Sequence, residues 1–374
     1  MKQSSGENMI TKKQRVALAG KGIAFLIAFN SLAVCAQEEE QPPVSSGTTI
    51  YGRIDLSVDR VTAGKNSNVT YGGPGAKVIR MTDNTSRLGF VGEEDLGGGT
   101  VALYGLELGI NGDDGTFVSP NFRFSYVGLK GGWGTFNMGR LDSSVPTGSP
   151  LYSQLAKNLR WIIHDAGATA IGTRVLNGSN RISNAMTYKS PEFGGVNIAT
   201  RINFAGPEVG TTSTNTNLKG ESDFKQYQLA VNYVNGQFSG GLGVGSDSKN
   251  GGFLANDFKG KSQAVVTYDF LKIRPYLAVG QEKFNAVSTT RENVNFWLAG
   301  ATAALGAQGR MTLNYMNRDV QVDKAGVLKK LQAEYSYLLS KRSTLYVYMD
   351  RDTTNSNRID STAKAIGVGM MHKF

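Results

Sequence analysis

The chain has 374 residues, a formal net charge of +10, 47 glycines, 9 prolines and 1 cysteine. A single cysteine excludes a disulfide scaffold, and the glycine content marks a turn-rich chain. Past the N-terminal region no apolar stretch is long enough for a transmembrane helix, which leaves a secreted all-β protein or a transmembrane β-barrel.

The first element in chain order is an export signal. Lys12, Lys13, Arg15 and Lys21 precede an apolar run from Gly22 to Phe29 that continues through Leu32, Ala33 and Val34. Val34-Cys35-Ala36 then offers a small-residue cleavage site. The run is too short to span a bilayer, so residues 1–36 read as a secretory signal peptide, with Met1 and Met9 both open as the start. Val34 in front of Cys35 argues against a lipid anchor at that cysteine. Cleavage after Ala36 removes five basic residues (Lys2, Lys12, Lys13, Arg15, Lys21) and one acid (Glu7), taking the formal charge from +10 to +6. It also removes the cysteine, so residues 37–374 must be held by sheet and core alone.

Period-two alternation then recurs to the end of the sequence. Ile50, Ile54, Leu56 and Val58 oppose Tyr51, Arg53, Asp55 and Ser57; Tyr227, Leu229, Val231 and Tyr233 oppose Gln226, Gln228 and Asn232. The segments are 49–58, 79–92, 99–110, 122–130, 133–140, 181–189, 194–204, 223–234, 237–245, 261–270, 272–282, 291–301, 308–318, 328–338, 342–351 and 364–374. That makes about sixteen, each about ten residues long, the length of a tilted strand crossing a bilayer. Short connections (Glu93–Gly98, Gly131-Gly132, Ser190–Phe193, Asn235-Gly236, Ser340-Lys341) alternate with long polar ones (59–78, 141–180, 205–222, 246–260, 352–363). This asymmetry is that of an outer-membrane barrel, and Asn235-Gly236 is a strong hairpin signal. A β-sandwich is disfavoured by the strand length and by Tyr and Phe gathering near segment ends, as in an interfacial girdle. The last segment, Lys364 to Phe374, stops on an aromatic in phase with Ile366, Val368 and Met370, as expected of a sheet that closes on itself.

Particular motifs narrow the class. Ile50-Tyr51-Gly52-Arg53-Ile54-Asp55 resembles the first strand of the Gram-negative general porins. The run from Ser86-Arg87-Leu88-Gly89-Phe90 to Asp95-Leu96-Gly97-Gly98-Gly99, with Ala102-Leu103-Tyr104-Gly105-Leu106-Glu107, resembles the second hairpin of the porins of β-proteobacteria. Arg123 to Leu129, Trp133 to Arg140, Asn184 to Gly195 and the terminal Gly-Val-Gly-Met-Met-His-Lys-Phe follow in family order. The resemblance implies a sixteen-stranded antiparallel transmembrane β-barrel with a lumenal constriction loop. It also implies a homotrimer in the outer membrane amid lipid and lipopolysaccharide, and passive diffusion of small hydrophilic solutes with no catalysis. It further implies a role for Phe374 as the tail read by the outer-membrane assembly machinery. Two departures bear on selectivity: Thr187 and Met371 stand where many relatives carry a basic residue, which weakens the case for a strong anion preference.

A pore selects by its diameter and by the charges at its narrowest point. Alternation places Arg53, Arg87, Arg123, Arg181, Lys189, Arg201, Lys272, Arg274 and Arg318 on the lumenal face, and Glu107 joins the pore-lining set. The 141–180 connection is the expected constriction loop, since idle loops of such length are uncommon. It offers Lys157, Arg160 and Arg174 against Asp142 and Asp165. Arg140 falls on the side of Phe136 and Met138 unless a bulge turns it inward.

Other chemistries find no support. His164-Asp165 lacks a constellation of nucleophile, base and orienting group. The separated histidines give no metal spacing, and no cofactor is expected. Gly260-Lys261-Ser262 ends like a phosphate loop, but Ala255 occupies the position of its first glycine. The positive charge is spread along strands rather than clustered, so no nucleic-acid partner is expected. The favoured reading is a general diffusion channel with an anion preference. The alternatives are a solute-specific pore, with Tyr152 and Trp161 as a track for sugars or anionic metabolites, and a surface adhesin or phage receptor acting through its loops.

Overall fold

The computed structural model describes residues 47–64, 75–142, 149–159, 181–204, 224–249, 252–356 and 360–374. Nearly all of them are strand. The first nine are β1 (Gly47–Ala63), β2 (Lys77–Asp83), β3 (Ser86–Gly97), β4 (Thr100–Asn111), β5 (Thr116–Gly131), β6 (Gly134–Leu141), β7 (Ile182–Lys189), β8 (Val196–Asn203) and β9 (Phe224–Asn235). The rest are β10 (Phe238–Lys249), β11 (Phe258–Tyr268), β12 (Ile273–Phe284), β13 (Asn293–Leu305), β14 (Gly309–Asp319), β15 (Val327–Leu338), β16 (Ser343–Asn355) and β17 (Asp360–Lys373). One helix, α1 (Pro150–Asn158), lies between β6 and β7.

Each stave pairs antiparallel with the next, and β1 pairs with β17, so the sheet closes and leaves no edge. The seventeen strands make sixteen staves because β1 pairs with both β2 and β3. The expected segment 79–92 is thus one stave with an interruption. Leu56 faces Asp83 and Arg53 faces Arg87. Ile54 and Asp55 therefore stand against Asn84, Thr85 and Ser86, one residue too many. Because strand side chains alternate, one extra residue resets which face each residue takes. That is why Arg80, Asn84 and Arg87 all point into the barrel.

The outer face carries the apolar half of the alternation: Val58, Ile79, Leu242, Ile366 and Val368 are all exposed. At the short-turn end Trp133, Phe193, Tyr233, Phe238, Tyr268, Phe270 and Tyr337 form an exposed aromatic belt. Its phenols are tied to the turns, Tyr337 donating to Gln308 Oε1 at 2.6 Å and Tyr268 to Gln237 Oε1 at 2.8 Å. An apolar band bounded by amphipathic aromatics is the profile of a barrel set in a bilayer. The turn through Pro191, Glu192 and Phe193 lies at this same end.

The inner face is not uniformly polar. Ala230, Val265, Tyr276, Ala278, Phe296, Leu298 and Met316 form a buried lumenal patch on β9 and β11 to β14. Helix α1 covers it with Leu151, Leu155 and Leu159, each contributing on the order of 1.5–3 kcal/mol by burial. Ser149 caps the helix, accepting from Tyr152 N, and Pro150 occupies its first turn.

Candidate functional site

The lumen has two unlike sides. One is the wall to which α1 is clasped. Gln154 Nε2 donates to Val231 O, Asn232 Oδ1 and Leu242 O, each at 3.1 Å. Gln263 Nε2 donates to Leu151 O at 2.9 Å and Gln154 Oε1 at 3.0 Å, and Ser239 Oγ donates to Asn158 Oδ1 at 2.7 Å. Arg274 Nη2 donates to Lys157 O at 3.2 Å. The wall makes room by omitting side chains: a Cβ at Gly241 would sit 2.3 Å from Gln154 Nε2, and one at Gly243 2.3 Å from Leu151 Cδ2. Glycine at alternate strand positions therefore marks the close approach of a second segment.

The other side is a ladder of arginines on β1, β3 and β5 and just ahead of β7. Arg53 Nη2 donates to Asn84 O at 2.9 Å and Arg53 Nε to Thr85 O at 3.2 Å; Thr85 Oγ1 also accepts from Arg53. Arg87 Nε lies 3.6 Å from Glu107 Oε2, and Arg123 Nε donates to Glu107 Oε1 at 2.5 Å. Tyr51 completes the shell of Glu107, donating at 2.8 Å. Asp142 continues the ladder, with Arg181 Nε at 2.5 Å and Arg123 Nη2 at 3.7 Å. Four guanidiniums line this side, bridged by Glu107 and Asp142, with Asp55 and Asp83 also close to Arg53, and guanidinium is the cation that tolerates such partial desolvation.

Arg123 lies on the lumenal face, where the sequence reading also set it, but it gets there through a bulge. Glu107 faces Phe124, but Leu108 faces Phe122, so Arg123 is a bulge residue. Strict alternation would set it beside Ser125 and Val127 on the outer face; the bulge turns it inward beside Glu107. Between Gly139 and Leu141 the β6–β7 ladder also slips, and there Arg140 donates to Phe122 O and Ser183 Oγ at 2.8 Å each.

The other pore-lining expectations divide. Arg201 is buried on β8 opposite Thr187 and Gln228, and Lys189 is half-buried at the short-turn end of β7. Both are on the inner face but apart from the ladder contacts. Lys157 sits half-buried on α1. Arg318 is on the far wall, donating to Glu282 Oε2 at 2.7 Å, with Lys261 Nζ 3.5 Å from Glu282 Oε1. Lys272 corrects the alternation: it is exposed in the β11–β12 turn, because β12 starts only at Ile273. Tyr152 packs against the apolar patch and lies near Asp142, Arg181 and Arg123 of the ladder. Arg160, Trp161, His164, Asp165 and Arg174 lie outside the described residues. Thr187 and Met371 are both buried on the lumenal face, and Met371 Sδ accepts from Arg53 Nη1 at 3.8 Å.

Sequence reading misses three features of the wall. One is the acceptor pair at Asn84 and Thr85, although Asp83-Asn84-Thr85-Ser86 is turn chemistry inside a strand. A second is the buried cluster in which Lys330 Nζ meets Asp350 Oδ2 at 2.8 Å and Asp352 Oδ1 at 2.7 Å. The third is the glycine groove under α1. Beyond the strands, a hydrogen bond from the Lys249 ammonium holds the Asp257 carboxyl below its ordinary pKa, and the Thr116 hydroxyl and amide do the same for Asp114.

Among the described residues no group of His, Cys, Asp and Glu is placed to hold a metal ion. What the arrangement offers is an aqueous lumen between a charged ladder and a covered wall. The model of the Gram-negative porin family matches residues 22–357. Outer membrane porin protein 32 of Delftia acidovorans is 32% identical over 308 residues, covering 80% of this chain and 82% of that protein. The structure of an anion-selective porin from Comamonas acidovorans superposes with a TM-score of 0.65 at 25% identity, covering 88% of this chain and 100% of that one. In-vitro folded OmpT of Vibrio cholerae, in a trimer form, shares the fold with a TM-score of 0.62 at 11% identity, covering 88% of this chain and 100% of that one. A closed sixteen-stave barrel, an apolar outer band with an aromatic belt and a family match along nearly the whole sequence lead to one conclusion: the chain belongs to the Gram-negative porin family and forms a passive channel in the outer membrane.

Proposed function

We propose that this porin prefers anions, and that the preference is set by the ladder of Arg53, Arg87, Arg123 and Arg181. The observation that carries the reading is the ladder itself: four guanidiniums converge on one side of the lumen, bridged by Glu107 and Asp142. Fixed positive charge along a narrow aqueous path raises the local concentration of anions and lowers that of cations. The anion selectivity of the similar Comamonas protein supports this direction. Lys189 and Arg201 extend the field toward the periplasmic end, and Lys157, Arg160 and Arg174 contribute from the 141–180 loop, which narrows the lumen where α1 is clasped to the wall. Glu107 tempers the field and fixes the geometry of Arg87 and Arg123.

The remaining parts of the reading concern assembly. Residues 1–36 direct export and are then removed. The barrel works as a homotrimer, as porins generally do, surrounded by outer-membrane lipid and lipopolysaccharide. The assembly machinery reads the strand that ends at Phe374. Liposome swelling with solute pairs of matched size tests the selectivity. Anionic solutes should enter faster than their cationic counterparts, and faster cation entry would overturn the reading.

A further inference from the structure

We propose that the one-residue interruption at Asn84 and Thr85 is a selectivity device: it presents two main-chain carbonyls that hold the Arg53 guanidinium in the lumen. The proposal rests on the anion preference described above and names the part of the wall that positions one of its charges.

The geometry has three parts. First, Arg53 and Arg87 are direct cross-strand partners. Like charges in that relation repel, so each needs acceptors that draw it aside. Arg87 is drawn to Glu107, and Arg53 to Asn84 O and Thr85 O. The carbonyls fix where the guanidinium sits, while Asp55, Glu107 and Asp83 lie close enough to act on its charge. Second, a regular stave would spend these carbonyls in the ladder. The extra residue, with Thr85 at φ 68°, turns them toward Arg53. A positive φ at a β-branched residue persists only where its surroundings enforce it.

Third, the surroundings do enforce it. Asp83 accepts from Thr85 N at 2.8 Å, Ser86 N at 3.0 Å and Gly112 N at 3.1 Å. Asn84 N donates to Asp55 O at 2.8 Å, and Asn84 Nδ2 donates to Ser57 Oγ at 2.9 Å and Tyr346 OH at 3.0 Å. Tyr346 in turn donates to Asp55 Oδ1 at 2.6 Å. Residues from β1, β16 and the turn after β4 thus fix the interruption from three sides. Asn84 and Thr85 are positioning residues; the charge that meets the permeating ion is that of Arg53.

Deleting Thr85 tests this cleanly. The deletion restores one-to-one pairing with β1, keeps Arg87 on the inner face and removes no charge, but it takes away the carbonyl cradle. The measurement is the zero-current potential of the purified channel in a salt gradient, compared among variants. Arg53→Gln removes a full charge and, for ions passing about 4 Å away through water, should disfavour the anion roughly fivefold and favour the cation by as much, lowering the anion-to-cation permeability ratio roughly 25-fold. Deletion of Thr85 should lower it in the same direction but by less, because the charge is displaced rather than removed, whereas Thr85→Gly, which accepts the positive φ and keeps both carbonyls, should leave it near the unmodified value. An unchanged ratio on deletion, with Arg53→Gln shifted, overturns the proposal.

Asp83→Ala gives a second test if the deletion fails to assemble. A bare charge effect would raise the anion preference, while loss of the cradle lowers it, so the sign decides. An unmodified channel without anion preference would instead overturn the reading of the whole ladder. The variant shifts would still decide whether the cradle positions Arg53.

Discussion

Arg53 and Arg87 stand directly opposite each other across the β1–β3 ladder, and their guanidiniums are drawn to different acceptors, one to main-chain carbonyls and the other to Glu107. The ladder therefore depends on Glu107 as much as on its cations. Glu107→Gln removes the carboxylate bridging Arg87 and Arg123 and raises the net positive charge. Anion preference should rise, while stability falls by about 1–3 kcal/mol because Arg87, Arg123 and Tyr51 lose a charged acceptor. Zero-current potentials and urea midpoints read the two effects separately. A fall in anion preference would contradict the role given to Glu107.

Docking of α1 can be loosened without touching a charge. Gly243→Val places a side chain where Leu151 Cδ2 now lies, and Gln154→Ala removes the donor to Val231, Asn232 and Leu242. Both variants should keep a folded barrel: Gln154 lies on α1 outside the strands, and valine at Gly243 keeps the main-chain pairing with Ala230 and Gln263. Both should alter single-channel conductance and raise open-channel noise. Traces matching the unmodified channel would mean that α1 does not narrow the lumen.

Lys330 is fully buried between Asp350 and Asp352. Lys330→Met should destabilise the barrel by about 3–5 kcal/mol, because two carboxylates remain in a site without their counter-ion. Adding Asp350→Asn and Asp352→Asn should recover most of the loss. Denaturant midpoints of the single and triple variants check this, and equal midpoints for the two would contradict it.

Closure of the barrel has its own residue. Phe374 N donates to Gly52 O at 3.0 Å and Gly52 N to Phe374 O at 3.1 Å. The ring of Phe374 lies over Gly52, where an added Cβ would meet it at 2.3 Å. Phe374→Ala should weaken this seam by about 1–2 kcal/mol, given that the ring is half exposed. Amide exchange should quicken in β1 and β17 and stay unchanged in β9 to β11. Uniform acceleration would argue against a local seam.

Much of this was legible in the sequence, and the exceptions share a cause. Alternation located every stave, because a strand with lipid on one side and water on the other must write its polarity with period two. It placed Arg53, Arg87 and Arg201 on the inner face for the same reason. It does not foresee the places where one inserted residue resets the phase. Arg123 turns inward through a bulge against Leu108, and the expected strand 79–92 is interrupted at Asn84 and Thr85. Nor could it foresee the apolar inner wall. Phe296, Leu298 and Met316 face a lumen that would be wet without α1, and only the tertiary fold supplies that cover. Glycines 241, 243 and 245 were the trace of it in the sequence.

The central claim is that the ladder makes this porin anion-preferring, and the salt-gradient zero-current potential of the unmodified channel in a planar bilayer tests it most directly. The account predicts a potential of the sign set by anions leaking down their gradient, reduced when Arg53, Arg87 and Arg123 are replaced together by glutamine. A potential of the opposite sign, or one indifferent to that triple replacement, would contradict it.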